Sequence, residues 1–191
     1  SESHLGRMWA YVVLIDLGYI LVALSFNSRL AQAAALFAIG ARLLSLLLAG
    51  SALATIRHRA TSLYFDDLRG VGSRLPLSIL AFGFGSFALV GVPLTAGFPS
   101  HWTILQMLAE LDTPWVWAVL VASVLGVAAV MRAFLVMMSP PDDDPRIEQV
   151  EPEPPLATAM LVGLMALSLY IGVMPQRVDG ALQFLLNSIT F

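Results

Sequence analysis

The sequence predicts an all-α fold, a polytopic membrane helix bundle of about five transmembrane helices with the third one broken. Three observations carry that expectation. Of 191 residues, 58% are hydrophobic and 12% charged, with a mean hydropathy of +0.82, far from the composition of soluble globular domains. Apolar stretches long enough to cross a hydrocarbon core of roughly 30 Å recur along the chain, bounded by charge or proline. One of them is too long for a straight span and carries two prolines and two glycines at its centre.

The first span runs from about Met8 to Leu24 and ends at the polar Ser25-Phe26-Asn27-Ser28-Arg29. The second runs from about Leu30 to Ile56, closed by Arg57-His58-Arg59, and a polar connection follows over 60–75. The third stretch, Pro76 to about Leu111, would reach roughly 54 Å as one helix at 1.5 Å per residue. Pro93, Gly97 and Pro99 within Gly91-Val92-Pro93-Leu94-Thr95-Ala96-Gly97-Phe98-Pro99 predict a break there, because proline removes an amide donor and clashes with the preceding turn.

The fourth span, Pro114 to about Met138, opens with Trp115 and Trp117, which suit the headgroup layer. Its residues Ala118, Ala122 and Gly126 make a small-residue stripe for close helix packing. A fifth span, about Leu156 to Met174, precedes a tail too short to cross. The chain thus divides into a four-span segment over 1–138, a Pro-rich acidic linker over 139–155 expected to be extended and solvated, and a final helix with an interfacial tail over 156–191. Ser1 to Gly6 has no signal-peptide character, and trimming or a start inside a longer protein is the expectation.

A net charge of −3 offers no basic surface for phosphates, so nucleic acid is not an expected partner. With no cysteine, disulfides, thiolate metal sites and cysteine nucleophiles are excluded. No nucleophile–base pair, phosphate loop or metal cluster is legible, so no catalytic residue, metal or cofactor is expected. All ten basic residues are arginine. They concentrate on the side of the N-terminus, the 57–75 loop and the 139–155 linker, which places that side in the cytoplasm by the positive-inside rule.

Ionisable groups inside a bilayer are expensive and face protein, so each is a candidate by default. Asp16 lies mid-span in the first helix, Arg42 mid-span in the second, and His101 just beyond the break. Arg42 shares a row with Ala34, Ala38, Leu46 and Gly50, a face expected to meet protein, and Asp16 is its obvious partner by charge. The pair reads either as a static clamp between helices or as part of an ion path. His101 reads either as a histidine bonded to carbonyls freed by the break or as a proton-exchanging group, since free imidazole titrates near neutrality. Arg132, near the end of the fourth span, reads as a structural anchor that snorkels. Glu110 and Asp112 are expected at the interface, and His4 and His58 in loops.

Four stretches resemble the antiporter-like membrane subunits of respiratory complex I (NADH:quinone oxidoreductase) and of multisubunit cation/proton antiporters. Arg7-Met8-Trp9-Ala10-Tyr11 through Gly18-Tyr19 is similar to the family's K-R-x-x-A-Y-S-S-x-x-x-x-G-Y, and Arg42 with Ala49-Gly50-Ser51 to its F-K-A-L-L-F-x-x-A-G-S helix. Asp67 to Pro76 resembles D-x-x-x-G-L-x-x-x-x-P. Most specific is Gly91 to Leu105, which resembles G-I-P-P-x-x-G-F-x-S-K-x-x-I-L, with Arg132 where a following helix often has arginine.

The resemblance covers about 7–138 and implies the C-terminal part of a subunit of about fourteen helices, built from inverted repeats with broken helices. It also implies other membrane subunits of a larger complex as partners, the lipid bilayer around them, and quinone or lipid at subunit contacts. The implied location is the bacterial cytoplasmic (inner) membrane.

The departures matter equally. Arg42 and His101 stand where the family's proton path uses lysine, and Ala34 and Ala38 replace its histidines. Arginine does not release a proton at physiological pH, so a lysine relay is excluded within this segment. Two functions follow as expectations. One is a membrane subunit of a proton- or cation-translocating complex with a modified ion path through Asp16, Arg42 and His101, non-catalytic itself within a proton-translocating oxidoreductase. The alternative is a structural scaffold subunit derived from that family, with no ion transport of its own.

Overall fold

The computed structural model describes residues 3–60, 62–111, 114–140 and 150–177, and the description below is of these. Their long helices are α1 Leu5–Ser25, α2 Arg29–Arg59, α3 Pro76–Val90, α4 Phe98–Glu110, α5 Trp115–Met138 and α6 Pro155–Val173. Four of them, α1, α2, α5 and α6, are long and apolar enough to cross a membrane. With 15 and 13 residues, α3 and α4 each fall short of a roughly 30 Å core, and together they form the broken third span.

Local chemistry sets the helix ends. The Ser28 hydroxyl accepts the Ala31 N–H at 3.1 Å and caps α2. At the end of α3, Gly91 sits in the left-handed region at φ 78°. Its N–H reaches Ala88 O at 3.3 Å and the Val92 N–H reaches Phe87 O at 3.0 Å, the paired bonds of a Schellman cap. The chain then turns through Pro93 and Leu94 and re-enters helix at Phe98. Pro99 lies in the first turn of α4, where an amide has no intrahelical acceptor, so its missing N–H costs nothing.

The most extensive contact is between α2 and α3. It is made by small residues: a Cβ added at Gly85 would lie 2.8 Å from Ala49 N and 3.1 Å from Ser45 O. In lipid no hydrophobic force drives helices together, so such close backbone approach supplies the packing. The main core joins Leu48, Ile56, Ile79, Phe82, Val130 and Leu161 from α2, α3, α5 and α6. The α5 stripe is used only in part. Gly126 is buried against Ile15 and Val90, whereas Ala118, a turn and more away, faces outward.

The N-terminus, the 62–75 loop and the residues before α6 meet at one end of the bundle. Leu5 N–H bonds to Leu63 O at 2.9 Å and Phe65 N–H to Ser3 O at 3.0 Å. Arg59 pairs with Glu151, and Glu153 accepts the Ser78 N–H at 2.6 Å in the first turn of α3, where a carboxylate is favoured. Val150 is buried in the core. The last residues of the acidic linker are therefore docked, a departure from the solvated segment expected, because an apolar residue and two carboxylates find partners there. The rest of the linker over 141–149, with Arg146, lies outside the described residues, as do Asp112 and the tail over 178–191.

Candidate ion-path site

Three helices bring Asp16, Arg42 and His101 together in the bundle interior. Asp16 and His101 are 2% and 3% exposed, deep enough that neither can rely on water for solvation. Arg42 Nη1 pairs with Asp16 Oδ2 and also donates to Val13 O at 3.1 Å, one turn earlier on α1. One guanidinium thus bridges α2 to two points of α1. The small residues Ala34 and Ala38 on the Arg42 row of α2 are buried, so that half of the face meets protein, whereas Leu46 and Gly50 on the same row are only partly covered.

His101 lies in the first turn of α4, directly after the break. Its Nδ1 is 2.8 Å from Gly97 O, and a carbonyl only accepts, so Nδ1 carries a hydrogen. Nε2 then faces Asp16 Oδ1 at 3.7 Å and has no hydrogen-bond partner among the described residues. That separation exceeds a direct hydrogen bond, and a small closing motion would join the two groups. His101 is thus bonded to a carbonyl of the break on one side and faces the buried carboxylate on the other.

The break makes the room. A Cβ at Gly91 would sit 2.6 Å from His101 Cγ, and one at Gly97 would collide with Ala88 O. Gly97 is buried, Pro93 is exposed in the turn, and Pro99 is the second residue of α4. From the other side α6 seals the turn. A Cβ at Gly172 would lie 2.5 Å from Leu94 O, and the Ser168 hydroxyl receives the Ala96 N–H at 3.4 Å.

Sequence reasoning missed two members of this site. The Tyr19 ring lies 4.0 Å from the His101 ring, centroid to centroid, tilted by 51°. Its hydroxyl donates to Ser123 Oγ at 2.6 Å, since the Ser123 hydroxyl is itself donated to Val119 O at 3.1 Å. Tyr19 follows Asp16 by three residues and therefore shares its helix face, a signal present in the sequence. Nothing in the sequence singled out Ser123.

Arg132 is elsewhere. Its guanidinium lies 5.4 Å from the Phe65 ring centroid at the loop end of the bundle, a cation–π contact between α5 and the 62–75 loop. Glu110 is exposed at the end of α4 and His58 at the end of α2, while His4 packs edge-on against Tyr64. Among the described residues no group of His, Asp and Glu could hold a metal ion.

Residues 1–126 match the family model described as "NADH:quinone oxidoreductase/Mrp antiporter, TM". The chain is similar to NADH-quinone oxidoreductase subunit N 1 of Solibacter usitatus, 31% identical over 180 residues, covering 90% of this chain and 36% of that protein. It is also similar to NADH-quinone oxidoreductase subunit N 1 of Sorangium cellulosum, 32% identical over 185 residues, covering 94% of this chain and 35% of that one. Among solved structures it resembles a chain of the membrane-bound sulfane sulfur reductase, an archaeal respiratory membrane complex, with TM-score 0.71 and 25% identity over 87% of this chain and 30% of that one. A chain of respiratory complex I from Thermus thermophilus shares the fold, with TM-score 0.57 and 24% identity over 93% and 45% of the two chains. The chain spans about a third of the length of the curated relatives named here. It is an integral membrane protein belonging to the NADH:quinone oxidoreductase/Mrp antiporter transmembrane family.

Proposed function

We propose that this chain forms part of a membrane subunit of a multisubunit proton- or cation-translocating respiratory complex, in which a proton is handled between Asp16 and His101. Its partners are other membrane subunits, its place is the bacterial cytoplasmic membrane, and any redox chemistry belongs to accompanying chains. The observation that carries this reading is the buried carboxylate and buried imidazole facing each other at 3.7 Å, with Nε2 unpartnered. Nδ1 is tied to Gly97 O, so Nε2 is the atom that takes or gives the proton, and Asp16 is its exchange partner. Arg42 holds a fixed positive charge against Asp16 and does not exchange. It replaces a proton carrier with a static counter-charge, so the path is modified at α2.

The test is proton translocation by the assembled complex in sealed vesicles, read with a pH-sensitive dye. Asp16→Asn and His101→Gln should each lower the rate by about a hundredfold or more, the low end of what a positioned proton-transfer group contributes, with assembly intact. Unchanged translocation in both variants contradicts the proposal.

One observation favours the scaffold reading instead. The Asp16–Arg42 pair is closed and doubly anchored through Val13 O, as a clamp between α1 and α2 would be. On that reading the two variants leave translocation untouched, and Arg42→Gln disrupts assembly.

A further inference from the structure

Away from the ion-path site, an open cleft of about 1200 Å³ lies between α1 and α2 at the loop end of the bundle. Its walls are mostly apolar, with Val13, Leu14, Leu46, Gly50 and Leu53 along its length, while His4, Ser62, Tyr64 and the exposed Arg57 line its loop end. From Leu46 to Arg57 the α2 wall rises about 16 Å at 1.5 Å per residue, roughly half of a 30 Å hydrocarbon core. The cleft therefore runs from mid-bilayer to one interface, the depth of a single leaflet. Arg59, two residues on, is engaged by Glu151, whereas among the described residues Arg57 pairs with no carboxylate. An exposed guanidinium over an apolar trough of leaflet depth complements an anionic headgroup with an acyl chain beneath it.

We infer that this cleft is a binding site for one anionic phospholipid, with its phosphate on Arg57 and an acyl chain between Leu14 and Leu46. Gly50 keeps the trough open at its waist. A Cβ there would meet only Trp9, at 3.7 Å, an ordinary contact, so a larger side chain can occupy the trough without disturbing the helices. The inference is independent of proton transfer at Asp16 and His101, because the two sites share no ionisable group.

The test uses the full chain with the subunits that accompany it, exchanged into vesicles of equal phosphatidylglycerol and phosphatidylcholine and examined by native mass spectrometry. Phosphatidylglycerol should be retained over phosphatidylcholine by about tenfold, the scale of one charge-assisted contact. Arg57→Gln should abolish that preference, and Gly50→Leu should remove the retained lipid altogether while helix content by circular dichroism is unchanged. Equal retention of the two lipids by the unaltered protein overturns the inference. So does a preference that survives both substitutions, or displacement of the lipid by a short-chain quinone, which would make a quinone the occupant.

Discussion

The two ring nitrogens of His101 have different fates. Nδ1 is 2.8 Å from Gly97 O on its own helix, and Nε2 stands 3.7 Å from Asp16 Oδ1 on α1. The first contact fixes the tautomer and ring orientation, and the second leaves a single ring position through which a proton can pass. Arg42 holds the other Asp16 oxygen. The carboxylate thus has one face closed by a permanent charge and one face open toward a titratable ring. On the proposed reading, Asp16 is a proton acceptor beside a fixed counter-charge.

Removing that counter-charge should be costly. Arg42→Met leaves Asp16 buried without its partner, and loss of one member of a buried pair destabilises by about 3–5 kcal/mol. Replacing both residues, as Asp16→Leu with Arg42→Met, should recover most of that loss. Chemical unfolding in detergent micelles measures both. A double variant no more stable than the single one would show that the pair does not act as a unit.

The break depends on two glycines for different reasons. Gly91 has φ 78° and lies against the imidazole, so Gly91→Ala adds left-handed strain of about 1–2 kcal/mol and displaces the His101 ring. Translocation should fall while helix content by circular dichroism persists. Gly97→Ala collides with Ala88 O and should lower stability as well as activity, which thermal unfolding monitors. If Gly91→Ala retains full activity, the ring position does not matter.

Tyr19 separates ring from hydroxyl. Tyr19→Phe keeps the ring on His101 and removes the bond to Ser123, a loss of about 1 kcal/mol, and should leave translocation near normal. Tyr19→Ala also removes the ring wall and should reduce translocation in step with His101→Gln. Parallel unfolding and transport measurements distinguish the two. Equal transport by both variants would assign Tyr19 a packing role alone.

Much of the fold was legible because membrane chemistry is restrictive. Apolar length located α1, α2, α5 and α6 within a few residues, and the prolines and glycines of 91–99 located the break. The meeting of Asp16 with Arg42 was legible from charge alone, since neither tolerates burial without a partner. What was not legible arises from contacts across sequence distance. Ser123 meets Tyr19 only because α5 packs on α1, and Glu153 reaches the first turn of α3 only because the residues just before α6 lie against it.

Leu94 was also silent in the sequence. It holds φ 72° in the turn, where the resembling motif has a second proline that cannot adopt a positive φ. Leu94→Gly should relieve about 1 kcal/mol of strain and raise the thermal midpoint. A lowered midpoint would mean that the exposed Leu94 side chain contributes more than its backbone costs.

The most direct test of the central claim is nitrogen-15 magnetic resonance of His101, labelled in its native membrane assembly, while a transmembrane pH difference is imposed and reversed. Nδ1 should stay protonated throughout and Nε2 should change protonation with the gradient, with Asp16→Asn abolishing that change. A Nε2 signal that is the same in every condition, or a Nδ1 that loses its proton, would contradict proton exchange at this pair and leave the helices around Asp16 and Arg42 as a scaffold.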